Sequence, residues 1–158
     1  HGRNVRRTYR RGRRVVGAVR SDLLYRRVID CSWDENTKLA SVTLSSKWGT
    51  FTGYAKPHDE DVDVANRWSG WRIAEYKCRV KIMKKRAEAM RERYYGLVHY
   101  EDQLWHSFSY SDALRYAKRD WYKSREEYRN LKNNFKEFCK DEVDSRRQFL
   151  KDVENKRM

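Results

Sequence analysis

Apolar and polar residues alternate with a period of two from Tyr25 to Lys56, a spacing typical of β-strands. Two groups of turn-forming residues, at 34–36 and 46–49, divide this stretch into three segments. The pattern predicts a three-stranded antiparallel meander over residues 25–56. The single proline, Pro57, follows directly and favours the end of the last strand there.

Beyond about residue 63 the spacing of apolar residues changes to steps of three and four, which is the pattern of a packed helix. It predicts a first long helix over 63–97, a connection over 98–110 and a second long helix over 111–157. The connection is long enough to reverse the chain, so an antiparallel hairpin is expected. Beyond Phe135 the steps become fours, which predicts that the seam changes course near Cys139. The first seam consists of Ile73, Tyr76, Val80, Met83, Ala87, Met90, Tyr94 and Leu97, and the second begins with Leu114, Ala117, Trp121, Ser124, Tyr128 and Leu131.

The first long helix carries a second apolar stripe on the side away from the seam, and we expect this stripe to form the core under the meander. The prediction is an α+β fold in which a three-stranded antiparallel meander packs on a long, coiled-coil-like antiparallel helical hairpin. Residues 25–158 would form a single domain. The stripe consists of Val64, Trp68, Trp71, Cys78 and Ile82.

Charge is concentrated at the N-terminus of this 158-residue chain, whose formal net charge is +14. Residues 1–27 contain ten arginines and one aspartate. Apolar residues are too few near the start to offset the entropy of ordering the backbone, so residues 1–24 are predicted to form a flexible, disordered basic arm. Aromatic residues make up 14% of the whole chain, which excludes a fully disordered polycation. Such a charge favours a polyanionic partner.

The heptad assignment gives the two edges of the predicted hairpin different charges. On one edge, arginines of the first helix face Asp120 and Glu127 and can form ion pairs. On the other edge, three cations of the first helix face three cations of the second. With the arm, these cations are the predicted nucleic-acid-binding residues: Arg3, Arg6, Arg7, Arg10, Arg11, Arg13, Arg14, Lys77, Lys84, Arg91, Lys118, Arg125 and Lys132.

No base-reading helix is recognisable, so binding to RNA or DNA, or to a nucleoprotein, is expected to depend on charge and shape rather than on sequence. Two alternatives stay open. The cationic edge could be only a solvated face, and the protein could be a structural coiled-coil oligomer. For the nucleic-acid-binding protein we expect a monomer, or a dimer formed through the helices.

A catalytic site is not expected. The acidic residues 59–63, together with Glu75 and Lys77, resemble the acidic and E-x-K elements of restriction-type nucleases, but that E-x-K lies on a strand and this one lies in a helical pattern. Carboxylates at a helix N-terminus are the simpler interpretation. No cysteine or histidine pair has zinc spacing and no phosphate-binding loop is present, so no metal or cofactor is predicted.

The sequence favours a cytoplasmic protein with no membrane association. It has no run of 18 apolar residues, and its arginine-rich start lacks the apolar stretch of a signal peptide. The three cysteines, Cys31, Cys78 and Cys139, are odd in number and widely spaced, as expected of reduced thiols.

Residues 49–84 resemble a pattern found in small uncharacterised accessory proteins of phages and prophages of Gram-positive bacteria. The pattern is a hairpin that ends in an F-x-G-x-A strand, an acidic loop, and a helix that opens with G-x-x-I-A. The resemblance implies a phage protein located in the bacterial host cytoplasm. That group includes anti-CRISPR proteins, so it also implies an inhibitor that binds a Cas nuclease, which is an RNA-guided nuclease, or its guide RNA. The matching residues are Phe51, Gly53, Ala55, Asp59 to Asp63, Gly70, Ile73 and Ala74.

Overall fold

The computed structural model describes residues 26–100 and 108–157. Three strands form an antiparallel sheet in chain order: β1 (Arg26–Asp34), β2 (Leu39–Ser46) and β3 (Gly49–Ala55). The predicted meander is therefore confirmed. The β1–β2 register shifts by one residue between Val28 and Asp30, so Ile29 forms a bulge in an edge strand.

A 3₁₀ helix (Asp59–Val64) and three α-helices follow: α1 (Arg67–His99), α2 (Phe108–Asn133) and α3 (Phe135–Arg157). The α+β fold is confirmed. The predicted arm over residues 1–24 and most of the predicted connection lie outside the described residues. None of the helices in the described ranges combines the length and the apolar character needed to cross a membrane.

The first long helix begins at Arg67, whereas the spacing predicts a start at residue 63. Asn66 is the reason, because its side chain accepts a hydrogen bond from the Ser69 amide at 2.8 Å and caps the helix. The preceding residues form the 3₁₀ helix instead of a first α-helical turn.

The second long helix is interrupted at Asn134, whereas the pattern predicts one continuous helix over 111–157. Hydrogen bonds with i→i−4 spacing continue on both sides, from the Asn134 amide to Asn130 and from the Phe138 amide to Asn134. Asn133 and Asn134 are poor helix formers because their side chains compete for backbone hydrogen bonds. The change of course predicted near Cys139 is therefore a break five residues earlier.

The main core lies between the sheet and the N-terminal half of α1. The Cys78 thiol is fully buried there and donates to the carbonyl oxygens of Val42 at 3.0 Å and Phe51 at 3.4 Å. Burial raises the pKa of this thiol. The core consists of Ala40, Val42, Leu44, Ala55, Ala74, Cys78 and Ile82, with Trp33, Trp48, Phe51, Trp71 and Ile73 packed against it.

The two tryptophans of the predicted stripe have different environments. Trp71 packs on the core, and its Nε1 donates to the Ser32 carbonyl at 2.8 Å. Trp68 is 64% exposed, so the prediction that it belongs to the core is wrong. Trp68 lies in the first turn of α1, where it contacts the Trp71 ring edge-on at a centroid distance of 5.3 Å and the Arg67 guanidinium at 5.5 Å.

The opposite side of α1 packs against α2 in an antiparallel hairpin. Ala117 and Ser124 are fully buried in this seam, and small side chains at these positions let the helices approach closely. The Tyr76 hydroxyl donates to the Leu131 carbonyl at 2.6 Å, and the Tyr110 hydroxyl donates to the Leu97 carbonyl at 2.7 Å. Burial raises the pKa of Tyr76, which keeps this donor protonated.

Helix α3 leaves the seam and lies against the first turns of α1 and the 3₁₀ helix. Phe135 and Phe138 hold its start against Tyr76, with ring centroids 5.5 and 4.6 Å away. Further along α3, Arg147 forms ion pairs with Asp61 at 3.0 Å and Asp63 at 3.2 Å. The hydrogen bonds that Arg147 donates to these two carboxylates raise its pKa.

The closeness of the sheet to α1 generates a prediction at Gly53. A Cβ at this position would lie 2.2 Å from the Ala74 carbonyl oxygen, which belongs to the helix backbone and cannot move aside. Gly53→Ala should therefore lower the free energy of unfolding by about 3 kcal/mol, measured by urea denaturation.

Gly96→Ala is the matched control for this substitution. Gly96 lies on the exposed side of α1, and no described atom is within 4 Å of its Cβ position. This variant should gain about 1 kcal/mol from helix propensity alone. Equal stabilities for the two variants would contradict the close packing of β3 on α1.

Candidate nucleic-acid interface

Ion pairs along one edge of the hairpin establish the register of α1 and α2. Arg86 pairs with Glu127, and Arg93 Nη1 lies 3.4 Å from Asp120 Oδ2. These are two of the arginine–acid pairs expected from the antiparallel heptad assignment. Arg72 makes a third pair, with Glu142 of α3 at 3.0 Å.

Arg79, on the same edge, differs from these arginines. Its guanidinium lies over the Tyr76 ring at 5.6 Å, and its buried Nε atom has no hydrogen-bond partner among the described residues. The arginines of this edge are thus used to hold the helices together.

The opposite edge carries the six predicted cations of the hairpin. Within residues 26–100 and 108–157, none of the six forms an ion pair with a carboxylate. We call this set the cationic edge: Lys77, Lys84 and Arg91 on α1, and Lys118, Arg125 and Lys132 on α2.

Lys77 differs from the other members of the cationic edge. It is half-buried, its ammonium donates to the Tyr54 carbonyl at 2.6 Å, and it lies 5.8 Å from the centroid of the Phe135 ring. Lys81 donates in the same way to the Thr52 carbonyl at 2.6 Å. Both lysines therefore cover the free edge of β3, a common protection of edge strands. Lys77 has a structural role that its sequence position does not reveal.

The three cations on α2 lie over aromatic rings of the same helix. Arg125 is 4.6 Å from the centroid of Tyr122 and 5.4 Å from that of Trp121. Lys118 is 5.6 Å from Tyr122, and Lys132 is 5.8 Å from Tyr128. Cation–π contacts offset part of the mutual repulsion of these cations while leaving their hydrogen-bond donors available.

Lys84 and Arg91 are both exposed on α1 and have neither a carboxylate nor an aromatic ring as a partner within the described part of the chain. The register of the hairpin sets Lys84 at the level of Arg125 and Arg91 at the level of Lys118. This part of the cationic edge therefore brings four cations together without a carboxylate partner among the described residues. The predicted arm residues Arg3 to Arg14 lie outside the described residues.

Two aromatic residues beside this charge, Tyr95 and Tyr122, are not among the predicted site residues. They occupy heptad positions next to the cationic edge, outside the apolar seam. A helical wheel that extends one position beyond the seam would have identified them.

The residues that resemble nuclease elements have structural contacts that do not match a nuclease site. Glu75 and Lys77 lie on helix α1, and Asp61 and Asp63 are paired with Arg147. Asp61, Lys77 and Glu142 line a cleft of about 270 Å³ between the 3₁₀ helix, α1 and α3. Both carboxylates in this set are held by arginines. Among the described residues, no group of histidine, cysteine, aspartate or glutamate side chains has an arrangement that could hold a metal ion.

The chain matches no protein-family model, and neither the curated proteins nor the solved structures include a significant match to it. The resemblance to phage proteins therefore stays a prediction, and the argument for function depends on the geometry of the site.

Lys77 and Lys84 provide a test that separates the structural and exposed members of the cationic edge. Lys77→Met keeps the aliphatic stem and removes the donor to Tyr54, so it should lower the free energy of unfolding by roughly 1 kcal/mol. Lys84→Met should leave it unchanged. Thermal and urea unfolding of both variants measure the difference, and equal losses would show that the two lysines do not have distinct roles.

Proposed function

We propose that this protein is a non-catalytic nucleic-acid-binding protein that uses its cationic edge, together with the N-terminal arginines, to contact phosphates. The observation that carries the proposal is the row of cations that lack a carboxylate partner among the described residues, on a hairpin whose other edge pairs three of its four arginines with acids. The same helices thus pair charges on one side and leave them unpaired on the other.

Facing cations destabilise a hairpin by about 0.2–0.5 kcal/mol per pair, so a bound polyanion is a direct physical reason to keep them. Exposed cations one heptad apart are separated by roughly 10 Å along a helix. That spacing exceeds the distance between neighbouring phosphates of a single strand. The cations are therefore expected to contact phosphates that are not adjacent. Binding of this kind is led by charge and shape and depends strongly on salt.

The total charge of +14 also attracts polyanions without any defined site. A test of the proposal must therefore separate the cationic edge from the net charge. Two double reversals that change the net charge equally achieve this separation.

Lys84→Glu/Arg125→Glu should weaken binding to a fluorescent oligonucleotide of about 20 nucleotides roughly tenfold or more at low salt, because contacts to several phosphates are lost. The melting temperature should stay the same or rise as repulsion is relieved. Fluorescence anisotropy at two salt concentrations measures the affinity, and thermal unfolding measures the stability.

Lys151→Glu/Lys156→Glu on α3 is the matched control. Both lysines are exposed, and neither forms an ion pair within the described residues. This variant should bind nearly as the parent does, because charges more than about 10 Å from the bound strand are screened at 0.1 M salt. Equal losses of affinity in the two variants would show that net charge alone determines binding. That result would contradict a binding site at the cationic edge.

A third variant tests the N-terminal arginines. Replacing all seven arginines between Arg3 and Arg14 with glutamine should flatten the dependence of log affinity on log salt by up to about six units. The melting temperature should not change, since few apolar residues are present there. An unchanged salt slope, measured by the same anisotropy titration, would exclude these arginines from the interface.

A pull-down from bacterial lysate with and without nuclease treatment distinguishes free nucleic acid from a nucleoprotein partner. Proteins that are retained only before nuclease treatment are held through nucleic acid. Proteins retained after it contact the chain itself.

A further inference from the structure

Four aromatic residues gather at the connection end of the hairpin. Tyr94 and Tyr95 on α1 and Trp121 and Tyr122 on α2 form one continuous group, which we call the aromatic cluster. Trp121 is its centre, with ring centroids 5.5 Å from Tyr94, 5.5 Å from Tyr95 and 5.0 Å from Tyr122. The cluster spans both helices at the level where the cationic edge is most exposed.

The inner and outer members of the cluster have different roles. Tyr94 and Trp121 belong to the apolar seam and are partly buried, so the packing of the hairpin explains them. Tyr95 is 55% exposed and Tyr122 is 43% exposed, and both lie outside the seam. The core does not require aromatic side chains at these two positions.

Cations surround the exposed rings. Arg125 and Lys118 lie within 4.6 and 5.6 Å of the Tyr122 centroid, and Arg91 is one turn before Tyr95 on α1. A surface that alternates exposed rings with cations matches the chemistry of unpaired nucleotides, whose bases stack on rings while phosphates contact cations. Bases inside a duplex are already stacked on one another and do not offer a free face.

We propose that the aromatic cluster makes the cationic edge selective for single-stranded nucleic acid, with unpaired bases stacking on Tyr95 and Tyr122. This inference rests on the proposed function and specifies its ligand class. The cations supply affinity for any nucleic acid, and the two tyrosines supply the preference for single strands.

Tyr95→Leu/Tyr122→Leu is the variant that tests the proposal. Its probes are a labelled oligo(dT) of about 20 nucleotides, which forms no duplex, and a labelled blunt duplex of the same length. Loss of two stacking positions should weaken oligo(dT) binding by about tenfold or more. Duplex affinity should stay within about twofold and the salt slope should not change, because no charge is removed.

Two controls accompany this variant. Tyr95→Phe/Tyr122→Phe keeps both rings and should retain the affinity for oligo(dT), whereas a role for the hydroxyl groups would abolish it. Tyr116→Leu removes a tyrosine that is also 43% exposed and also lies near two arginines, Arg115 at 5.2 Å and Arg119 at 4.9 Å. Tyr116 precedes Tyr122 by six residues and faces a direction about 120° away around the helix, on the side of the ion-paired edge, so this variant should bind as the parent does.

The outcomes distinguish this inference from the proposed function. If the parent binds neither probe, or if the cationic-edge reversal has no effect, the proposed function is wrong. If the cationic-edge reversal weakens binding to both probes and the leucine pair changes neither, the edge binds nucleic acid without base stacking and only this inference fails. Equal losses for the leucine pair and Tyr116→Leu would also overturn it. Thermal unfolding of each variant confirms that the exposed substitutions leave the fold intact.

Discussion

Helix α1 has to bury two different faces at once, and the rest of the structure depends on this constraint. One face approaches the sheet so closely that Gly53 meets the backbone carbonyl of Ala74, and Cys78 donates to strand carbonyls instead of to its own helix. The other face forms the seam with α2. Where the sheet covers α1, charged residues lie mainly on the two lines between these faces, and both lines continue along the hairpin beyond the sheet.

The two edges of the hairpin differ in the groups that contact their cations. On the edge opposite the cationic edge, acids from α2 and α3 pair with three of the four arginines, and an aromatic ring lies under the fourth. On the cationic edge, an aromatic ring or a strand carbonyl contacts four of the six cations, and Lys84 and Arg91 have neither among the described residues. Neither a ring nor a carbonyl is negatively charged, so the positive field of that edge is reduced locally but not cancelled. A polyanion is the ligand that would remove the remaining repulsion.

Periodicity was sufficient to predict the order of elements, the antiparallel meander and the hairpin, because burial of one face imposes a repeat of two or of alternating threes and fours. It could not locate the break at Asn134, which comes from two adjacent poor helix formers, or the exposure of Trp68, which depends on where packing stops. Nor could it separate Lys77 from Lys84. The two lysines have the same heptad position, and only the presence of β3 beside one of them gives it a different role.

The extent of the sheet therefore decides where along α1 a partner can bind. The strands cover the helix from Gly70 to about Ile82, and in this region Lys77 and Lys81 are bonded to β3. Beyond Ile82 the helix continues for about five more turns to His99, with α2 beside it and the Trp48 ring of the β2–β3 turn near Arg86. Lys84, Arg91 and Tyr95 all lie in this uncovered part. The N-terminal half of α1 thus stabilises the fold, and the C-terminal half presents its cations and exposed ring on a helix already held rigid by packing, so little conformational entropy would be lost when a strand binds.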